Sequence, residues 1–147
     1  MDTRFMILAM MAPLVLFGCS LNSYQCKILG TYPASLQTYD VTFGWNKTLC
    51  DNGMIVKGYA RNNRKVSIRD MELRVELVSP AGKTKAEETI LLSPRELPKY
   101  MSAPFVVSLN VRPQKGDWLY FHYRYLAVEG ADSSQTRDNS FQFKIFV

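Results

Sequence analysis

Nucleophilic catalysis needs a nucleophile, a base to activate it and an acid to orient the base. The chain has a single histidine, His122, in the middle of the alternating stretch "WLYFHYRYLAV". No Gly-x-Ser-x-Gly elbow accompanies it. Glu87 and Glu88 are adjacent carboxylates on a predicted strand. Neighbouring strand side chains point to opposite faces, so this pair cannot share a substrate. The eight glycines are dispersed among turns and form no phosphate-cradling loop. A satisfied sheet histidine and a chain that is not an enzyme are the expectation.

Cys19 carries a different chemistry. The chain opens Met1-Asp2-Thr3-Arg4, runs apolar from Phe5 to Phe17 and then meets Gly18-Cys19-Ser20. A short N-terminal region with one Arg, an apolar core and a small residue before a break describe a secretory signal peptide. A membrane span would need roughly 20 apolar residues. This run is shorter and contains Pro13.

Leu16-Phe17-Gly18-Cys19 resembles the lipobox of bacterial lipoproteins, although Phe17 stands where that family usually has a smaller residue. The resemblance implies that Cys19 is acylated and becomes the first residue of the mature chain. It also implies, from Ser20 where an inner-membrane retention signal has Asp, an outer-membrane destination with the domain facing the periplasm. The alternative is an ordinary cleaved signal with Cys19 merely nearby. Two acyl chains already give stable attachment, at about 0.8 kcal/mol per buried CH₂. The expected organisation is residues 1–18 as signal peptide, 19–34 as a lipidated tether and 35–147 as one domain.

With Cys19 lipidated, Cys26 and Cys50 remain as an even pair in an oxidising compartment. A bridge between them would close a loop of about 25 residues and contribute roughly 3 kcal/mol in the chain-entropy model. Two reduced thiols are the alternative. Two cysteines and one histidine fall short of the four ligands of a structural zinc, so neither metal nor cofactor is expected.

The formal net charge is +5, and much of it lies between Lys57 and Arg74. There Lys57, Arg61, Arg64, Lys65, Arg69 and Arg74 face only Asp70 and Glu72. Such a run favours anionic partners such as lipid head groups or acidic glycans, or is simply a solvated surface. An exported protein makes nucleic acid a poor candidate.

The elements that must position these residues read as strands. Tyr39, Val41, Phe43 and Trp45 alternate with polar neighbours, and Cys50-Asp51-Asn52-Gly53 supplies a turn with Gly53 free to take positive φ. Ile55 to Asn62 follows, then Met71, Leu73, Val75 and Leu77 alternating with charges. "SPAGK" is the next turn, and Thr84 to Leu92 the next strand. A Pro-punctuated loop leads to Phe105, Val107, Leu109 and Val111, then to "WLYFHYRYLAV". A Gly/Ser-rich loop over 129–138 precedes Phe141, Phe143, Ile145 and Val147. Seven short strands without a helix predict an antiparallel β-sandwich of immunoglobulin or fibronectin-III type. The stretch "GYARNNRKVSIRDMELRVELVSPAGK" resembles FxLYD-type bacterial immunoglobulin-like domains in its Gly-x-x-x-Asn, alternating strand and Gly turn, without the namesake motif. That resemblance implies the same architecture.

In the sixth strand, Leu119, Phe121, Tyr123, Tyr125 and Ala127 share the face expected to enter the core. Trp118, Tyr120, His122 and Arg124 then form an aromatic and cationic row on the other face, the candidate binding residues. Rings covering one another across strands would need no ligand. Gly116-Asp117-Trp118-Leu119-Tyr120 also resembles a tyrosine corner, which would make Tyr120 structural. Two functions remain in view. One is a lipid-anchored protein-interaction or accessory module docking an envelope protein. The other is a lipoprotein holding a glycan or anionic polymer on that row.

Overall fold

The computed structural model describes residues 32–129 and 134–144. Its strands are β1 (Ala34–Gln37), β2 (Val41–Cys50), β3 (Gly53–Asn62), β4 (Ser67–Val78) and β5 (Thr84–Leu91). They continue as β6 (Glu96–Leu97), β7 (Ser102–Leu109), β8 (Trp118–Val128) and β9 (Ser134–Lys144). One sheet runs β1-β2-β3-β7. The other runs β5-β4-β8-β9, with β6 also on β4. Every pairing is antiparallel.

Period-two patterning decides which way each strand faces. Val41, Phe43 and Trp45 of β2 are at most 2% exposed. Opposite them, Leu73, Val75 and Leu77 of β4 and Leu119 and Phe121 of β8 are fully buried. The Phe43 ring lies 4.9 Å from that of Tyr123, and Trp45 lies 5.1 Å from Phe121. These ring pairs join the two sheets, so the inward face of β8 is the one its apolar bulk predicts.

Several boundaries differ from the sequence reading. The seven expected strands are the seven long ones, and β1 and β6 are additional. Ala34 and Leu36 of β1 pack on the core from an edge position. Only pairing with β2 makes a strand of so short and weakly patterned a segment. β6 is fixed by Leu97, which is 2% exposed and paired with Ile68. β7 stops at Leu109, short of Val111, and β9 begins at Ser134, inside the expected loop. Tyr39 is not part of the β2 alternation, for it is 92% exposed. Residues Thr38 to Val41 form a tight turn, with Thr38 N–H donating to Val41 O at 2.9 Å, and this turns Asp40 inward instead.

Gly53 is required for space, not for positive φ. A Cβ there would come within 2.3 Å of the Leu109 carbonyl oxygen on neighbouring β7. A bulge between Arg69 and Glu72, with Asp70 at φ 50°, shifts the register of β4 against β8. It allows both Ile68 and Met71 to reach the core despite their odd spacing.

Asn62, the asparagine of the Gly-x-x-x-Asn stretch, ends β3 with its side chain fully buried. Its Nδ2 donates to Val66 O at 2.8 Å and Leu97 O at 2.9 Å, and its Oδ1 accepts Arg64 N–H at 2.8 Å. One amide therefore holds the crossover from the first sheet to the second. Asn62→Ala should lower unfolding stability by about 2–4 kcal/mol, because it strands buried backbone groups. Chemical denaturation checks this, and a loss within error would contradict the role.

Candidate functional site

β8 lies between β4 and β9, so its outward side chains meet those of β4 across the sheet. Register sets Trp118 opposite Val78, Tyr120 opposite Glu76, His122 opposite Arg74 and Arg124 opposite Glu72. Arg124 Nη2 contacts Glu72 Oε2 at 2.9 Å, and Arg74 Nε contacts Glu76 Oε1 at 3.0 Å. His122 Nε2 stands 3.9 Å from that same glutamate oxygen, and the Tyr120 ring meets the imidazole edge-on with centroids 4.4 Å apart.

The four candidate residues thus share a face, as expected, but each is engaged by its neighbours. Exposed ion pairs of this kind contribute about 0–1 kcal/mol each. The face also divides into two clefts. Trp118 and Tyr120 line one with Pro80 and Gly82 of the β4–β5 turn. Arg124 lines another with Asp70, Glu72 and Arg95. Tyr120 faces outward and is only half-buried, so the tyrosine-corner reading does not fit. The buried polar residue of that stretch is Asp117, 1% exposed, which accepts Gln114 N–H at 2.8 Å and Lys85 Nζ at 2.7 Å.

The basic run does not form one surface. Lys57 and Arg61 point outward from the β1–β7 sheet and Arg74 outward from the other. Arg64 is spent on Glu129, at 2.6 Å. Glu87 and Glu88 also part, as strand geometry requires. Glu87 sits opposite Glu76 on the outer face, whereas the Glu88 carboxylate accepts Ser108 N–H across the gap to β7. That contact, with Pro104 lacking an N–H, covers much of the open edge of β7.

A cluster that pattern reading missed lies between the sheets. Asp40, 8% exposed, receives hydrogen bonds from Tyr123 OH at 3.0 Å, Tyr125 OH at 2.7 Å and Thr38 Oγ1 at 2.6 Å. Burial alone would raise the Asp40 carboxyl, but the three hydroxyl donors outweigh it and hold it below its ordinary value. Burial, reinforced by the hydrogen bond to Asp40, pushes Tyr125 up to about 12. Hydrogen bonds to Tyr125 and Glu129 likewise raise Arg64 against a smaller effect of burial. Tyr39, Asp40, Arg64, Tyr125 and Arg137 line a cleft at this end of the molecule. Two tyrosine hydroxyls on a core face need an acceptor, but nothing in the sequence singles out Asp40 as that acceptor.

No family model and no curated protein matches the chain. Among solved structures it is similar to a β-glucuronidase from glycoside hydrolase family 2, with a TM-score of 0.36 and 13% sequence identity. The match covers 76% of this chain and 11% of that one. At that distance the similarity says nothing of activity.

Cys19 and Cys26 lie outside the described residues. Cys50 is buried at the end of β2 and is a disulfide cysteine. Among the described residues no group of three or more His, Cys, Asp or Glu is placed to hold a metal ion.

Proposed function

We propose that the chain is a lipid-anchored envelope lipoprotein whose two-sheet domain is a non-catalytic protein-interaction or accessory module. The observation that carries this reading is Leu16-Phe17-Gly18-Cys19 at the end of an apolar run, ahead of a body of strands that begins at Ala34. Acylated Cys19 holds the chain at the outer membrane, and the domain stands in the periplasm. Cys26 and Cys50 form the bridge that staples the tether to the end of β2.

The fold type belongs to this proposal too. Lettered A to G in chain order, the seven long strands give sheets A-B-E and D-C-F-G. The constant-type immunoglobulin order is ABED and CFG, so the fourth strand has changed sheets. We assign the fibronectin-III-like variant of that architecture.

A second reading is favoured by the cleft at Trp118 and Tyr120, whose rings suit a sugar face. Cross-linking in intact cells separates the two. The interaction reading expects one envelope protein captured through the domain and no retention on oligosaccharide or acidic-glycan columns. If glycan binding is found instead, and Trp118→Ala with Arg124→Ala abolishes it in folded protein, the glycan reading replaces it.

A further inference from the structure

The two outer faces differ in charge. That of β4, β5 and β8 carries Glu72, Glu76 and Glu87 among its arginines. On the outward positions of β1, β2, β3 and β7 there is no carboxylate at all. Lys57 and Arg61 are exposed there, and Lys99 stands at the border. Exposed apolar surface gathers on the same side: Val106 is 52% exposed and Tyr100 55%. The Tyr100 ring is flanked by Lys99 Nζ at 4.4 Å and Arg61 Cζ at 5.7 Å from its centroid.

The chain also enters the fold across this face. Tyr32, 51% exposed, meets the ring of Tyr59 edge-on with centroids 5.4 Å apart. Tyr59 in turn lies over Gly44, where a Cβ would come within 2.3 Å of its ring. Tyr32 is thirteen residues beyond Cys19. Such a segment spans at most about 45 Å, at about 3.5 Å per residue. An anchor at Cys19 keeps the domain close to the bilayer and brings the tether out on its carboxylate-free side.

We propose that the outer face of β3 and β7, with Lys57, Arg61, Lys99 and Tyr100, docks on the anionic phospholipid headgroups of a bilayer. The chemistry matches the occupant. Lysine and arginine near an anionic leaflet are drawn to it. Tyrosine rings settle at headgroup depth, and lysine stems lie along apolar surface while their amines stay wet. The outward strand positions of this face carry no carboxylate to be repelled, and Glu88, at the open edge of β7, is engaged by Ser108 N–H. The orientation rests on the lipid-anchor reading, but the binding does not.

The test therefore uses the full chain carrying Cys19→Ser, which has no acylation site. It is sedimented with vesicles of phosphatidylcholine alone and of phosphatidylcholine mixed with phosphatidylglycerol. The apolar segment 5–17 partitions into both, so the readout is the preference for anionic vesicles. Lys57→Gln with Arg61→Gln should reduce that preference about 30-fold, since each cation near the surface contributes about fivefold. Arg74→Gln with Arg124→Gln removes the same charge from the opposite face and should leave it nearly unchanged. Salt at about 1 M, where screening acts within about 3 Å, should erase the preference. No preference in the parent chain would overturn the proposal. So would equal losses in both double variants, or binding to a soluble acidic polysaccharide without binding to anionic vesicles. Retention in cell membranes of a Cys19→Ser chain that has lost residues 1–18 bears separately on the anchor.

Discussion

Asp40→Ala should lower unfolding stability by about 3–5 kcal/mol, the largest stability loss expected of any single polar substitution here. Tyr123 and Tyr125, each 2% exposed, would keep their hydroxyls in the core without the carboxylate that accepts from both. Each stranded donor costs about 1–3 kcal/mol, and a domain of this size has about 5–15 kcal/mol to lose. Truncating the donors as well should recover part of the loss. Tyr123→Phe combined with Asp40→Ala is expected to cost less than the two changes summed, the signature of a shared network. A strictly additive pair in urea denaturation would contradict the network.

The same cluster sets a pH dependence at both extremes. Asp40 is held below its ordinary value in the folded chain, so its contribution is complete above the ordinary carboxylate pKa. It drains away as pH falls through the lower, folded value. Tyr125 is pushed up to about 12 from 10.0, and the sign reverses. Its contribution is complete below pH 10 and is lost as pH rises towards 12, because the folded state keeps a proton that the unfolded chain releases. Asp40→Ala should flatten the acid limb.

Cys19→Ser should abolish acylation and, in chains from which residues 1–18 have been cleaved, release the protein from membranes almost completely. Two or more acyl chains on Cys19 would bury dozens of CH₂ groups, each contributing about 0.8 kcal/mol, so the acylated form would not dissociate on a cellular timescale. Serine offers no thiol for that attachment. Fractionation of cells after a salt wash is the check, because a headgroup-docked domain would be washed off whereas an acylated one would stay. A Cys19→Ser chain that has lost residues 1–18 and still stays in the washed membrane would count against the anchor.

Alternation made β4 and β8 legible from sequence because each has one face in water and one against the opposing sheet. Met71 to Leu77 and Leu119 to Ala127 could therefore be assigned inward without coordinates. Position-by-position pairing was less accessible. β1 exists because β2 offers it a partner, and Tyr39 lies outside the pattern because a tight turn precedes Val41. The row Trp118, Tyr120, His122 and Arg124 was found on one face, yet Glu72 and Glu76, forty or more residues earlier, decide how engaged it is. Asp40 was invisible for the same reason. Its partner Tyr125 is 85 residues away in sequence, and no period or spacing links them. The asparagine at position 62 was read from a short resemblance, but its three hydrogen bonds needed the loop geometry.

The anchor is the claim on which orientation, partner class and tether length all depend, and intact-mass analysis of the mature protein extracted from membranes tests it most directly. The expected species starts at Cys19 and carries the mass of a glyceride with attached acyl chains. A mature N-terminus at another residue, with no acyl mass, would contradict it.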